Sequence, residues 1–223
     1  MTTLATRRFH ARADLDAALA ERLARALSAA GASAVMLSGG HTPLPAYRAI
    51  AHAGVRHDDR LHVLFSDERY VPADSERSNY HESQALLEVL SLPEESLLRV
   101  HTELPLAEAA ADYDAQLSAL LSSGVHIGLG LLGLGADGHT ASLFSRADLE
   151  RARGRYAIAV QRPDGMSAVS VTPELLATVR EPVFVVAGPG KEQALRALGE
   201  KDLGLTAWQA VQGCEEVELW VAP

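Results

Sequence analysis

Three short apolar runs, Ser33–Leu37, Leu61–Phe65 and Val125–Leu132, each break off into a polar or glycine-bent loop, and amphipathic segments lie between them. That alternation constrains the chain more than any other feature. Parallel strands need a crossover, and a helix is the usual one, so the pattern predicts an α/β fold with a mostly parallel sheet covered by helices on both faces. Leu15, Leu19, Leu23 and Leu27 mark a first helix that Asp14 would cap and Gly31 would stop. Pro43 suits the first turn of a second helix, running through Ala53. Further helices are expected over Asn79–Leu90, from Pro105 to Leu121 and over Lys191–Leu198. Further strands are expected over Tyr156–Val160, Ala168–Val171, Val183–Ala187 and Val217–Val221. Ser66–Ser78 reads as an elaborate polar loop, and Arg146–Arg155 is charged and helix-compatible but reads better as a solvated connection. With 223 residues, 48% of them hydrophobic, residues 1–223 are expected to form a single domain.

Composition narrows the function classes. A formal charge of −9 opposes a broad nucleic-acid footprint, so an anionic ligand would have to be met by a local group of basic side chains. The longest apolar stretch, Val125–Ala136, is broken by glycines and falls short of the roughly 20 residues of a membrane helix. Residues 1–13 show no signal-peptide pattern, and Cys214 is the single cysteine. A cytoplasmic protein is the expectation, acting as a monomer or weak homo-oligomer without nucleic-acid or membrane partners.

In an open parallel sheet, ligands collect beyond the carboxyl ends of the strands. Three loops are therefore candidates. In Ser38-Gly39-Gly40-His41-Thr42-Pro43, two glycines would let backbone N–H groups approach an anion beside a threonine hydroxyl and a helix start. The same glycines equally suit a plain tight turn. A nucleotide P-loop would need a Gly-Lys-Ser/Thr ending, which the loop lacks. The second loop carries Asp67, Glu68 and Arg69 straight after a strand, either as surface ion pairs or as groups presented to a ligand. The third, Gly133 to Phe144, delivers Asp137 and His139. Its glycines match G-x-G-x-x-G twice, at Gly128/Gly130/Gly133 and at Gly133/Gly135/Gly138. One set lies inside the expected strand and the other puts Asp137 where pyrophosphate would approach, so no dinucleotide is expected. No metal or covalent-nucleophile signature appears, and water activated by the imidazole of His139 fits best. The other histidines have surface or core roles by default, except His41, which sits in the glycine loop.

Together these segments resemble one family. Ser38 to Pro43, Asp67-Glu68-Arg69-Tyr70-Val71-Pro72 with Ser78-Asn79, Gly133 to Phe144, Ser170-Val171-Thr172-Pro173 and Val186 to Lys191 are collinear with the 6-phosphogluconolactonases, a family sharing its superfamily with glucosamine-6-phosphate deaminase. The resemblance implies a three-layer α/β sandwich and metal-free, cofactor-free hydrolysis of a phosphosugar lactone. It further implies His139 as base, Asp137 or Glu68 as its orienting carboxylate, Asp67 in the catalytic group and Arg69 on the oxyanion. Gly39, Gly40, His41, Thr42 and Lys191 would hold the phosphate, although Lys191 read without the family is a plain helix-start lysine. Arg69, and Ala-Ser-Leu-Phe after Asp-Gly-His-Thr, favour the lactonases over the deaminases, which typically have tyrosine and Asn-Glu-Pro there. A non-catalytic sugar-phosphate sensor would need only the glycine loop. The chain departs from the lactonases at Ser145, usually proline, and at Ala168, commonly arginine, which leaves Arg162 or another arginine to substitute in space. Its last residues, Leu219 to Pro223, also lack an aspartate often found there.

Overall fold

The computed structural model describes residues 2–223. The chain begins with strand β1 (Thr3–Arg8), helix α1 (Arg12–Leu27), β2 (Ser33–Leu37), α2 (Leu44–Ala53) and β3 (Leu61–Phe65). A short strand β4 (Asp67–Arg69) follows, then α3 (Asn79–Glu82), α4 (Gln84–Leu90), α5 (Leu106–Ser122) and β5 (His126–Leu132). The rest comprises α6 (Arg146–Arg151), β6 (Ala157–Gln161), β7 (Ser167–Val171), α7 (Pro173–Leu176), β8 (Val179–Ala187), α8 (Glu192–Gly199), α9 (Thr206–Ala210) and β9 (Glu216–Ala222).

Six strands form one sheet in the order β1-β9-β8-β5-β2-β3, and each neighbouring pair in it is parallel. Side chains alternate between its faces. Val35 and Leu37 join Leu15, Leu19, Leu23 and Leu27 of α1 and the apolar faces of α2 and α4. Ala34 and Met36 point the other way, toward α5, α8 and α9. Covered on both sides, β2, β3 and β5 are apolar along most of their length, which is why they read as apolar runs. The architecture is the expected three-layer α/β sandwich.

Four expectations need correction. β6 and β7 do not join the parallel sheet; with β4 they form a separate antiparallel sheet, ordered β4-β7-β6. Only Arg162 to Met166 connect β6 to β7, too few residues for a parallel crossover. The expected loop at Ser66–Ser78 begins with β4, whose Asp67 and Glu68 are buried, with hydroxyl and N–H donors meeting their carboxylates. The helix expected over Asn79–Leu90 is broken at Ser83. Finally, α1 starts at Arg12 behind Ala11, which makes no side-chain cap, so Asp14 lies in the first turn rather than at the cap.

In sheet order β2 lies between β3 and β5, and the chain passes from β2 to β3 on one side before returning to β5 on the other. The crevice of such a sheet opens where connections diverge in this way. The loops leaving β2 and β5 flank it.

Candidate active site

A cavity of about 460 Å³ occupies that crevice, bordered by Gly39, Gly40, Thr42, Arg69, His139 and Lys191. His41, Asp67, Asn79, Arg12 and Arg162 also reach it. The three candidate loops thus converge on one space.

The glycine loop is fastened from below. Tyr47 on α2 is buried, and its hydroxyl donates to the Ser38 carbonyl (2.8 Å) while accepting from the Ser38 N–H (3.1 Å). Burial pushes this phenol far above its ordinary range, so it stays a neutral hydroxyl. Gly40 has φ +83°, a left-handed conformation that glycine adopts freely. Gly39 is required for a different reason: a β-carbon there would strike the Asn79 side chain. Arg12 Nη2 donates to the Thr42 carbonyl (2.8 Å) while its Nε pairs with Asp16 (2.7 Å). The Gly40 N–H donates over a long 3.3 Å to Glu82.

The loop after β5 is a tight turn closed by Gly135 N–H to the His139 carbonyl (2.9 Å) and Gly138 N–H to the Gly135 carbonyl (3.0 Å). His139 Nδ1 is hydrogen-bonded to Asp137 Oδ1, and the ring packs on Phe144 with centroids 4.3 Å apart. A carboxylate at Nδ1 selects the tautomer with its proton there, leaving the Nε2 lone pair for the cavity. Burial alone would raise the Asp137 carboxyl, but the hydrogen bond and charge of His139 outweigh it and its pKa lies below the ordinary value. Leu205 packs over Gly138, and the Ala207 N–H donates to the Gly138 carbonyl (2.9 Å), so the segment entering α9 buttresses the turn.

The structure separates the acidic candidates. Asp67 borders the cavity and accepts from Ser66 Oγ (2.9 Å) and Ser142 Oγ (2.7 Å), joining β4 to the His139 loop. Glu68 faces away from it. Its carboxylate accepts from the N–H groups of Asn79 (2.7 Å) and Tyr80 (2.8 Å) and from Ser78 Oγ (3.2 Å). Its position corrects the expectation of Glu68 as a catalytic group or as the partner of His139: every oxygen is committed to the start of α3. Burial raises its pKa from 4.5 to about 7, against the lowering effect of those N–H donors.

Four cationic side chains reach the cavity in different states of commitment. Arg12 is spent on Asp16 and the loop carbonyls. Arg69 donates from Nη1 to the Arg77 carbonyl (2.9 Å) and lies 4.0 Å from Glu82, with its Nε buried and unpartnered. Lys191, at the N-terminal boundary of α8, has no hydrogen-bond or ion-pair partner among the described residues, and burial lowers its pKa. Arg162 enters from the turn between β6 and β7, whereas Ala168 is fully buried within β7. Arg12, Tyr47 and Glu82 carry no motif that marks them in the sequence; α1, α2 and α3 bring them in, whereas Asn79 belongs to the Ser78-Asn79 pair of the resemblance. Among the described residues, no group of three or more His, Cys, Asp or Glu could hold a metal ion, and no helix is long and apolar enough to cross a membrane.

Comparison with known proteins supplies an independent constraint. The family described as glucosamine-6-phosphate isomerases/6-phosphogluconolactonase matches residues 8–217. The chain is 36% identical over 188 residues to the 6-phosphogluconolactonase of Synechocystis, covering 78% of this chain and 74% of that one. It is 35% identical over 209 residues to the human 6-phosphogluconolactonase, covering 86% and 80%. The crystal structure of 6-phosphogluconolactonase from Thermotoga maritima superposes with a TM-score of 0.81 at 27% identity, covering 100% of both chains.

Proposed function

Because this chain belongs to the family of glucosamine-6-phosphate isomerases and 6-phosphogluconolactonases, we propose that it hydrolyses 6-phospho-D-glucono-1,5-lactone to 6-phospho-D-gluconate, the oxidative pentose phosphate reaction, with His139 as general base. The observation that carries this reading is the Asp137–His139 pair at a cavity reached by Arg69 and Lys191.

In this mechanism the Nε2 lone pair of neutral His139 takes a proton from water as the water oxygen bonds to lactone carbon C1. Asp137 holds the Nδ1 proton and stabilises the imidazolium that forms. The C1 oxygen gains the negative charge, and Arg69 with loop N–H groups meets it where that charge develops. When the tetrahedral intermediate collapses, the bond from C1 to the ring oxygen breaks. That oxygen takes a proton from the imidazolium and leaves as the hydroxyl of the open-chain acid.

The phosphate lies against Gly39, Gly40, His41, Thr42 and Lys191, with the Gly40 N–H exchanging its long bond to Glu82 for a phosphate oxygen. Binding energy at that remote end fixes the ester against the base. In this reading the chain works as a single cytoplasmic domain, a monomer or weak homo-oligomer, without cofactor, membrane or nucleic acid.

The test uses freshly prepared phosphogluconolactone with spontaneous hydrolysis subtracted, beside glucosamine 6-phosphate. Acceleration of the first and no turnover of the second supports the lactonase. The reverse result assigns the chain to the deaminases, and binding without turnover of either makes it a sensor.

A further inference from the structure

We propose that Arg162 is a phosphate-binding residue of this site, gripping the ligand's dianionic end together with Lys191; the assignment rests on the lactonase reading for the identity of that ligand.

The argument starts from the turn that carries it. The Arg162 N–H donates to the Met166 carbonyl (2.7 Å) and the Met166 N–H to Asp164 Oδ1 (3.1 Å), which makes the link between β6 and β7 a closed loop. Gln161 Nε2 adds bonds to the Gly165 and Met166 carbonyls (2.8 and 3.1 Å). A second clasp joins this turn to the Arg69 segment: Arg77 donates to the Met166 thioether, and Arg69 donates to the Arg77 carbonyl. The turn is therefore held against the rim of the cavity.

Within that frame the guanidinium is divided. Its Nε and Nη2 edge faces Asp164 at 3.2–3.4 Å, and its Cζ lies over the Phe144 ring, 5.2 Å from the centroid. Nη1 is left directed at Ser142 Oγ over a long 3.4 Å, and the side chain is only 16% exposed. Because Ser142 Oγ gives its own proton to Asp67, it serves Arg162 purely as an acceptor. A long bond to a neutral hydroxyl is readily replaced by a shorter one to an anion. Arg12 is held by Asp16 and the Thr42 carbonyl through its Nε and Nη2, and Arg69 is assigned to the C1 oxygen, which leaves Lys191 and the Nη1 of Arg162, whose one partner is the long bond to Ser142, for a dianion. An ammonium and a planar fork complement each other around a tetrahedral phosphate.

Arg162→Gln and Arg162→Lys are the variants to make, measured by steady-state kinetics on the phosphorylated lactone and by calorimetric titration with inorganic phosphate. Arg162→Gln is expected to lower kcat/KM about 10- to 100-fold, the size of a lost charged hydrogen bond. The loss falls on KM, and the phosphate Kd rises by a similar factor. Arg162→Lys, which keeps the charge without the fork, is expected to lose less, and it decides the matter if the glutamine variant does not fold. A wild-type protein that binds no phosphate, KM and Kd within twofold of wild type in the variants, or a loss confined to kcat would each overturn the assignment. Absence of lactone turnover by wild type would instead remove the lactonase reading, while the phosphate titration still decides Arg162.

Discussion

Gly39 and Asn79 meet so closely that a β-carbon on the glycine would lie 1.9 Å from the asparagine Oδ1. The amide is pinned from its other side, since Nδ2 donates to the Asp67 carbonyl at 2.8 Å. Asn79 therefore ties the glycine loop to β4, and a one-carbon addition on Gly39 has to push one of them away.

Gly39→Ala is expected to cost about 1–3 kcal/mol of stability, the range for overpacking a filled site, and to raise KM because the displaced loop is the proposed phosphate cradle. Urea unfolding with steady-state kinetics checks both. Asn79→Ala in the same chain should recover part of the loss; a double variant worse than the sum of its parts would contradict the contact.

Tyr47 and Tyr113 play the same part under two strands. Tyr113 bridges the N–H (3.0 Å) and carbonyl (2.6 Å) of Phe65 at the end of β3, as Tyr47 bridges those of Ser38 beyond β2. Changing either tyrosine to phenylalanine strands two buried backbone groups and is expected to destabilise by about 1–3 kcal/mol. Tyr47→Phe should also raise KM, because Ser38 opens the glycine loop. Equal stability of Tyr47→Phe and wild type in denaturant would remove the bridging role.

Glu68 predicts a pH dependence of stability. Its carboxyl is raised from 4.5 to about 7 in the fold, so between those values the native state holds a proton that the unfolded chain has released. Its contribution to stability therefore falls as pH rises from 4.5 to about 7 and levels off above, by on the order of 3 kcal/mol in all. Glu68→Gln has no proton to lose and should flatten that decline in urea titrations from about pH 5 to about pH 7.5. It should also start lower, because an amide presents a donor to N–H groups that need acceptors. Parallel declines in wild type and variant would contradict the assignment.

Much of the central sheet was legible because burial keeps β2, β3 and β5 largely apolar, with only Ser33, His62 and His126 breaking the runs. β1 was not, since it is an edge strand with mostly exposed side chains, paired only to β9. Nor was β4, where burial falls on acids that neighbouring donors satisfy. Gly130 explains the false dinucleotide motif: a β-carbon there would lie 2.8 Å from Val179 and 2.9 Å from Met36, so glycine serves close packing inside β5. In the site, the Asp137–His139 turn and the glycine loop were readable because each is local. The choice between Asp137 and Glu68 as the partner of His139 was not, because it turns on where α3 begins.

In the proposed mechanism Asp137 acts on the ligand only through its hydrogen bond to His139, so its loss should misdirect the ring rather than abolish the base. Asp137→Ala is expected to lower kcat up to about 10²-fold, the scale of a small misplacement of a reacting group, with KM nearly unchanged. A loss expressed mainly in KM would show that Asp137 works in binding instead.

The most direct measurement compares kcat of wild type and His139→Ala on freshly made 6-phospho-D-glucono-1,5-lactone, with spontaneous hydrolysis subtracted and inorganic phosphate binding followed in parallel. General-base loss predicts a fall of roughly 10² to 10⁴-fold in kcat with phosphate affinity kept. A His139→Ala protein that turns over the lactone at the wild-type rate would contradict the account.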